Sequence, residues 1–205
     1  MIQNLVFDMG PVRIRWQPEL LIAHMALPEA DRQMVLREVF RNVEWVRLDR
    51  GTIREEDALE SICRRLPERL HPAARQLVLG WWQRPLIPVP GMAELIRELK
   101  EAGYGIYLLS NASLRLREYF PEIPGSEYFD GLLVSAEWKL LKPQHEIYEA
   151  FCRTFSLAPE SCFFVADLPA NVEGAMVAGM QGAVFHGDVP RLRRELQTAG
   201  ISCHP

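Results

Sequence analysis

Leu5-Val6-Phe7-Asp8-Met9-Gly10-Pro11-Val12 is the stretch that decides the fold of this chain. Together with Ile2 it reads as a short, mainly apolar strand that ends on a carboxylate and breaks into a loop. Such a strand suits a parallel sheet buried on both faces. Asp8 then stands at the carboxyl end of the strand, the edge of an open α/β sheet where ligands bind. Gly10 and Pro11 predict a turn whose backbone N–H groups are free to face an anion. A carboxylate beside such amides suits a nucleophile or metal ligand next to a phosphate cradle. The plainer alternative is a strand-end Asp that caps a turn.

Outward from this stretch, the composition narrows the class. The chain has 205 residues, 48% of them hydrophobic, enough for one domain or a domain with an insert. A formal net charge of -4 argues against nucleic acid as a partner. No run of 18 or more apolar residues occurs, so no membrane span is expected. The chain opens directly on a strand, without a basic region and cleavage site, which predicts a cytoplasmic protein. Cys63, Cys152, Cys162 and Cys203 lack C-x-x-C spacing and read as reduced thiols rather than zinc ligands. Cys152 and Cys162 read as small core residues. His24, His71, His145, His186 and His204 do not cluster and are assigned no role. The sequence carries no signal of oligomeric state.

From Pro18 to Gln83 the pattern is helical. Pro28 and the acids after it start a helix whose apolar positions are Met34, Val35, Val39 and Phe40. Gly51-Thr52 interrupts, and Thr52 with Glu55 resembles a capping box for a helix over 55–65. A further helix covers 72–82. From Gly91 onward helices and strands alternate: helix 92–102 with Gly103 as its stop, strand 104–109, a short helix 114–119, strand 131–135, helix 145–155, strand 162–166, helix 172–178, strand 182–185 and helix 190–199. This alternation predicts a doubly wound, Rossmann-like α/β domain with a parallel sheet. An all-helical cap is inserted after the first strand. The expected division is 1–14 and 87–205 for the core and 15–86 for the cap. Arg13–Trp16 and Leu86–Pro90 form the hinges, the second stiffened by Pro85, Pro88 and Pro90.

Four strand ends carry polar residues of a matching kind: Asp8, Ser110-Asn111, Lys142-Pro143 in the loop after the third body strand, and Asp167. In a parallel sheet these emerge on one edge. Two carboxylates, a hydroxyl, an amide and a lysine make a site for Mg²⁺ plus phosphate. Val6-Phe7-Asp8-Met9-Gly10, Leu109-Ser110-Asn111, Leu141-Lys142-Pro143 and Phe164-Val165-Ala166-Asp167, with Asn171-Val172-Glu173-Gly174-Ala175, occur in that order. In this the chain resembles the haloacid dehalogenase superfamily of aspartate-nucleophile phosphohydrolases. Within it, the chain is similar to the small sugar-phosphate (glucose-1-phosphate) phosphatases with a helical cap and a glycine two residues after the nucleophile. The resemblance implies a Mg²⁺-dependent phosphatase of a small phosphorylated metabolite. Asp8 would be nucleophile and metal ligand, the Gly10 carbonyl a second ligand, and Asp167 the metal carboxylate. Met9, Gly10, Ser110 and Asn111 would hold the phosphate, Lys142 would bridge Asp8 and phosphate, and the cap would select the substrate.

The chain departs from the pattern at three places. Gly10 stands where most of these phosphatases carry a general acid, whose loss typically costs on the order of 10²–10⁴ in rate. Ala166 and Ala170 stand where acids commonly sit, and losing an outer carboxylate costs roughly 10–100-fold. Two alternatives follow: haloacid-type dehalogenation on the same nucleophile, which needs neither acid nor metal, or a catalytically weakened phospho-ligand-binding relative. Trp16 is the expected pocket residue, with Trp45, Trp81 and Trp82 packing the cap core. Arg13 and Arg15 read as surface arginines that steer an anionic substrate.

Overall fold

The computed structural model describes residues 1–83 and 86–203; Pro85 of the second hinge and His204 lie outside the described residues. Strand β1 (Asn4–Phe7) is buried along its whole length. It leads into a short helix α1 (Gly10–Arg13), so Gly10-Pro11 opens a helical turn rather than a loop. Proline is at home there, because the first helical turn does not need its N–H. Helices α2 (Pro18–Ala23), α3 (Glu29–Phe40), α4 (Val43–Arg50), α5 (Glu55–Cys63) and α6 (His71–Gly80) follow. Then come α7 (Met92–Glu101), β2 (Gly105–Ser110), α8 (Leu116–Tyr119), β3 (Gly131–Val134), α9 (Ser135–Trp138) and α10 (His145–Phe155). The chain closes with β4 (Cys162–Ala166), α11 (Pro169–Val177), β5 (Gln181–Val184) and α12 (Val189–Thr198).

The five strands form one parallel sheet in the order β3-β2-β1-β4-β5. Strand β1 is therefore central, and the order reverses beside it. Side chains alternate between two cores. Leu5, Phe7, Ile106 and Val165 pack with α7 and α12, whereas Val6, Leu109 and Phe164 pack with α10 and α11. This is the period-two pattern of a strand covered on both faces. Cys152 and Cys162 belong to the second core, as read from their apolar context. A third cluster, with Ile22, Val35, Ile62, Leu70 and Leu77, lies wholly within the helical insert.

The two connections between insert and sheet lie side by side. Ile14 bridges antiparallel to Pro88. The Arg15 N–H donates to the Ile87 carbonyl at 2.7 Å, and the Val89 N–H to the Arg13 carbonyl at 3.0 Å. Backbone pairing thus braces the entry against the exit.

Several local expectations are corrected. Helix α4 is absent from the sequence reading; the Asn42 side chain caps its start, and Gly51 ends it at φ 70°. Thr52 and Glu55 form no capping box: Arg54 occupies the N-cap of α5, and the Thr52 hydroxyl donates back to the Arg47 carbonyl. Arg13 is not a surface residue. It is 2% exposed, donates to the Pro124 carbonyl at 2.8 Å and lies over the Phe129 ring. Helix α1 turns it into the core, and burial lowers its pKa to about 10.

The turn after α4 docks tightly on the sheet side. A Cβ on Gly51 would lie 2.1 Å from the Ala136 carbonyl oxygen, and Lys139 donates to the Gly51 carbonyl. Gly51→Ala therefore faces both a left-handed φ and a backbone clash. It is expected to destabilise the protein by about 1–3 kcal/mol, seen as a fall of several degrees in Tm. A Tm within one degree of the parent would contradict this docking.

Candidate active site

Each site residue is placed by the end of a strand or the loop after it. Asp8 follows β1, and its N–H extends the ladder to the Val165 carbonyl at 2.9 Å. Its carboxylate is buried and accepts from the Met9 amide at 2.7 Å. The Met9 amide is therefore engaged by Asp8 itself rather than left free. The other carboxylate oxygen meets Lys142 Nζ at 2.6 Å, and the lysine side chain is fully enclosed. Lys142 also donates to the Leu109 carbonyl at 2.8 Å and lies over the Phe164 ring. Burial pulls the pKa of the ammonium down, and Asp8, with a smaller contribution from Asp167, pulls it back. An unpaired charge at this depth would cost several kcal/mol, so each group requires the other.

Asn111 lies at this edge in a structural capacity the sequence reading missed. Its side-chain amide donates to the Lys142 carbonyl at 3.0 Å, and its oxygen accepts from the Lys142 N–H at 2.8 Å. This two-point clamp fixes the backbone from which the lysine reaches Asp8. Helix α11 approaches the same loop closely, because a Cβ at Gly174 would lie 3.0 Å from Pro143. Ser110, the last residue of β2, is 1% exposed beside Asn111.

Asp167 follows β4, the neighbour of β1, and is half-buried. It does not serve as the cap of α11, whose N-cap is Leu168. Burial raises its pKa, and the charge of Asp8 raises it further. Two carboxylates that repel across one sheet edge suit a shared divalent cation, and Mg²⁺ takes one or two protein carboxylates with other oxygens. The Gly10 carbonyl already accepts from the Ile14 N–H at 3.1 Å, which leaves one of its two lone pairs. Among the described residues no group of three His, Cys, Asp or Glu side chains forms a complete metal cage. The donor set therefore fits a hydrated hard cation completed by ligand oxygens.

Above this edge lies a cavity of about 110 Å³, lined by Met9, Gly10, Ser110 and Asn111 below and by Trp16, Trp45, Trp81, Tyr119 and Asp49 around and above. Trp16 is one of the residues lining this cavity. Trp45 and Trp81 line it too, and Trp45 also packs against the apolar cluster of the insert. The Trp16 and Trp45 rings stack at 5.8 Å, and Trp81 meets Trp16 edge-on at 4.7 Å. Trp82 instead lies under the Arg115 guanidinium. A wider cleft of about 810 Å³, lined in part by Leu48, Ile53 and Leu114, shares Ser113 with the cavity. Asp49 was not foreseen because α4 was not. A glycine eight residues after Val43, at the end of an amphipathic stretch, was the available signal of a helix stop.

A family profile described as haloacid dehalogenase-like hydrolase matches residues 23–179. The chain belongs to this family. As a haloacid dehalogenase-like hydrolase it is similar to the sesquiterpene phosphatase astK of Aspergillus oryzae, with 28% identity over 186 residues, 86% of each chain. It is also similar to hexitol phosphatase A of Escherichia coli, with 31% identity over 110 residues, 51% of this chain and 49% of that protein. The same architecture is found in a family enzyme of Bacteroides thetaiotaomicron solved with magnesium and inorganic phosphate. There the TM-score is 0.67 at 21% identity, over 94% of this chain and 99% of that one. The L-2-haloacid dehalogenase of Xanthobacter autotrophicus, with chloropropionic acid covalently bound, gives a TM-score of 0.65 at 20% identity, over 99% and 85% of the two chains.

The raised pKa of Asp167 has a definite pH signature. Stability from a raised carboxyl is fully present below its unfolded value, near 3.8, and is lost as pH rises through the folded value. In chelator, Asp167→Asn is therefore expected to be more stable than the parent at about pH 7, with the gain vanishing toward about pH 4. Urea midpoints across that range check this; equal midpoints at neutral pH would mean that Asp167 ionises without penalty.

Proposed function

We propose that this hydrolase is a Mg²⁺-dependent phosphatase that cleaves a small phosphorylated metabolite through an aspartyl-phosphate on Asp8. The observation that carries the reading is the buried Asp8–Lys142 pair at the edge where Ser110 and Asp167 also lie. An Asp8 oxygen attacks phosphorus in line, and the bond to the leaving oxygen breaks. Lys142 holds Asp8 in position at 2.6 Å and offsets charge on the phosphoryl oxygens. The Ser110 hydroxyl and the backbone N–H groups of Gly10 and Asn111 hold those oxygens. Bound by Asp8, Asp167 and the Gly10 carbonyl, Mg²⁺ would supply further charge neutralisation at the phosphoryl group. Water then releases phosphate from Asp8. The helical insert, 15–86, serves as the cap that encloses and selects the substrate.

The lining of the cavity favours an apolar alcohol as leaving group. Three indoles face a space where a sugar would have to find partners for several hydroxyls, and each unpaired one costs about 1–3 kcal/mol. The wider cleft past Ser113 adds room beyond the cavity, with Leu48, Ile53 and Leu114 set among charged residues that include Arg54, Glu55, Asp57 and Lys139. The likeness to a sesquiterpene phosphatase over 86% of the chain points the same way. A sugar phosphate is the second substrate reading, supported by the likeness to hexitol phosphatase A over half the chain.

Phosphate release from farnesyl phosphate, glucose 1-phosphate and p-nitrophenyl phosphate tests both readings. Turnover is expected with Mg²⁺ and not with chelator, and Asp8→Asn is expected to lower it by at least about 10³-fold. A faster reaction with glucose 1-phosphate than with farnesyl phosphate reverses the order of the substrates. The absence of an acid at Gly10 keeps a dehalogenase as the rival reaction: Mg²⁺-independent chloride release from 2-chloropropionate, without phosphate release from any ester, would replace the phosphatase. Stabilisation by phosphate without any turnover would leave a binding relative.

A further inference from the structure

We propose that Asp49, carried by cap helix α4, is the general acid and base of this site, protonating the leaving-group oxygen that no side chain at position 10 can reach. The proposal rests on the phosphatase reading above. Two independent observations carry it. A Cβ built on Gly10 would meet nothing within 4 Å, so the space for an acid beside the nucleophile is present and unfilled by the core. Asp49 lines the same cavity as Gly10, Ser110 and Asn111, and it is the one carboxyl among the described residues that does so.

The other polar side chains of the cavity are poor candidates. The Asn111 amide is spent on the Lys142 backbone. Burial and the charge of Asp49 push the Tyr119 hydroxyl far up, which makes it a weaker acid. Ser110 and Ser113 carry hydroxyls of no useful acidity near neutral pH.

Asp49 is also held in place. Its backbone carbonyl accepts from the Ser135 hydroxyl at 2.5 Å, and Ser135 in turn accepts from the Ala112 amide at 2.9 Å. Against the Asp49 side chain, the Ser113 amide favours the ionised form. Of the charges on or beside the helices packed against α4, Glu38 is engaged with Arg65, Glu55 with Arg115, Glu137 with Arg117, and Lys139 with the Gly51 carbonyl. On α4 itself, Glu44 pairs with Arg65, and Arg50 reaches Gln144. Of the core groups, Asp8 opposes ionisation of Asp49, and enclosure opposes it more strongly, so its carboxyl lies well above the ordinary range. A carboxyl kept protonated is what an acid in this position needs.

The chemistry balances. As the Asp8 oxygen bonds to phosphorus and the P–O bond to the leaving group breaks, the Asp49 proton passes to the departing oxygen, and the alcohol leaves neutral. The Asp49 carboxylate then takes a proton from the attacking water as its oxygen bonds to phosphorus. The Asp8–phosphorus bond breaks, giving inorganic phosphate and restoring both aspartates.

The test compares phenyl phosphate with p-nitrophenyl phosphate, near-isosteric esters whose leaving groups differ in their need for a proton. Asp49→Asn is expected to lower kcat/KM for phenyl phosphate about 10²-fold or more, with p-nitrophenyl phosphate changed only a few-fold. Asp49→Glu is expected to recover part of the loss. In the parent, kcat/KM for phenyl phosphate should fall on the alkaline side as Asp49 ionises, with no such limb for p-nitrophenyl phosphate. Equal losses on both esters, or identical alkaline limbs in the parent, would overturn the role of Asp49. Retained turnover in Asp8→Asn, or no turnover of either ester by the parent, removes the phosphatase reading itself and this proposal with it.

Discussion

The buried pair of Asp8 and Lys142 is the constraint on which the rest of this structure depends. Neither charge is tolerable alone at that depth: burial opposes the Lys142 ammonium, and Asp8 is the main group that offsets it. Holding them 2.6 Å apart requires two loops from distant parts of the chain to meet. The sheet order supplies the first condition by placing β1 in the centre, with Asp8 at its carboxyl end. The Asn111 clamp and the close approach of α11 at Gly174 supply the second, since they leave the Lys142 backbone little freedom. A site assembled this way is rigid before any ligand arrives, which is what electrostatic stabilisation of a transferring group demands.

The helical insert solves a different problem. It has an apolar cluster of its own, so its helices cohere without the sheet. Its two connections are hydrogen-bonded to each other at Ile14, Arg15, Ile87 and Pro88. A second attachment lies at the end of α4, where Gly51 packs on Ala136 and Ser135 bonds to the Asp49 carbonyl. The aromatic side chains Trp16, Trp45 and Trp81 fill the space between these attachments. The sheet edge thus carries Asp8, Lys142, Ser110 and Asp167, and the insert supplies walls of the cavity above it.

The sequence was informative wherever a local rule and the global fold agreed. Strand 162–166 and helix 145–155 were placed to the residue, because an unbroken apolar run and a clear amphipathic face leave few competitors. The polar residues at the four strand ends followed from the same pattern. The misreadings share one cause: each depends on where a helix face points. Val43–Arg50 mixes Val, Trp, Arg and acids, so its helical period is obscured, and with it the direction of Asp49. Arg13 looked like a surface residue until α1 turned it under Phe129. Thr52 and Glu55 had the right spacing for a cap, but Arg54 begins the helix and Thr52 turns back to Arg47.

The sequence alone therefore determined the parallel sheet, the helical insert after its first strand, and the presence of Asp8, Lys142 and Asp167 at its edge. These are properties of period and order along the chain, which any fold of this class must respect. Tertiary structure alone decided which tryptophans face the cavity, that Asn111 braces Lys142, and that Asp49 of the insert lines the same cavity as Gly10. Those contacts join residues far apart in sequence, such as Asn111 with Lys142 at 31 positions, and no local rule registers them. They exist only once packing has chosen one rotation for each helix.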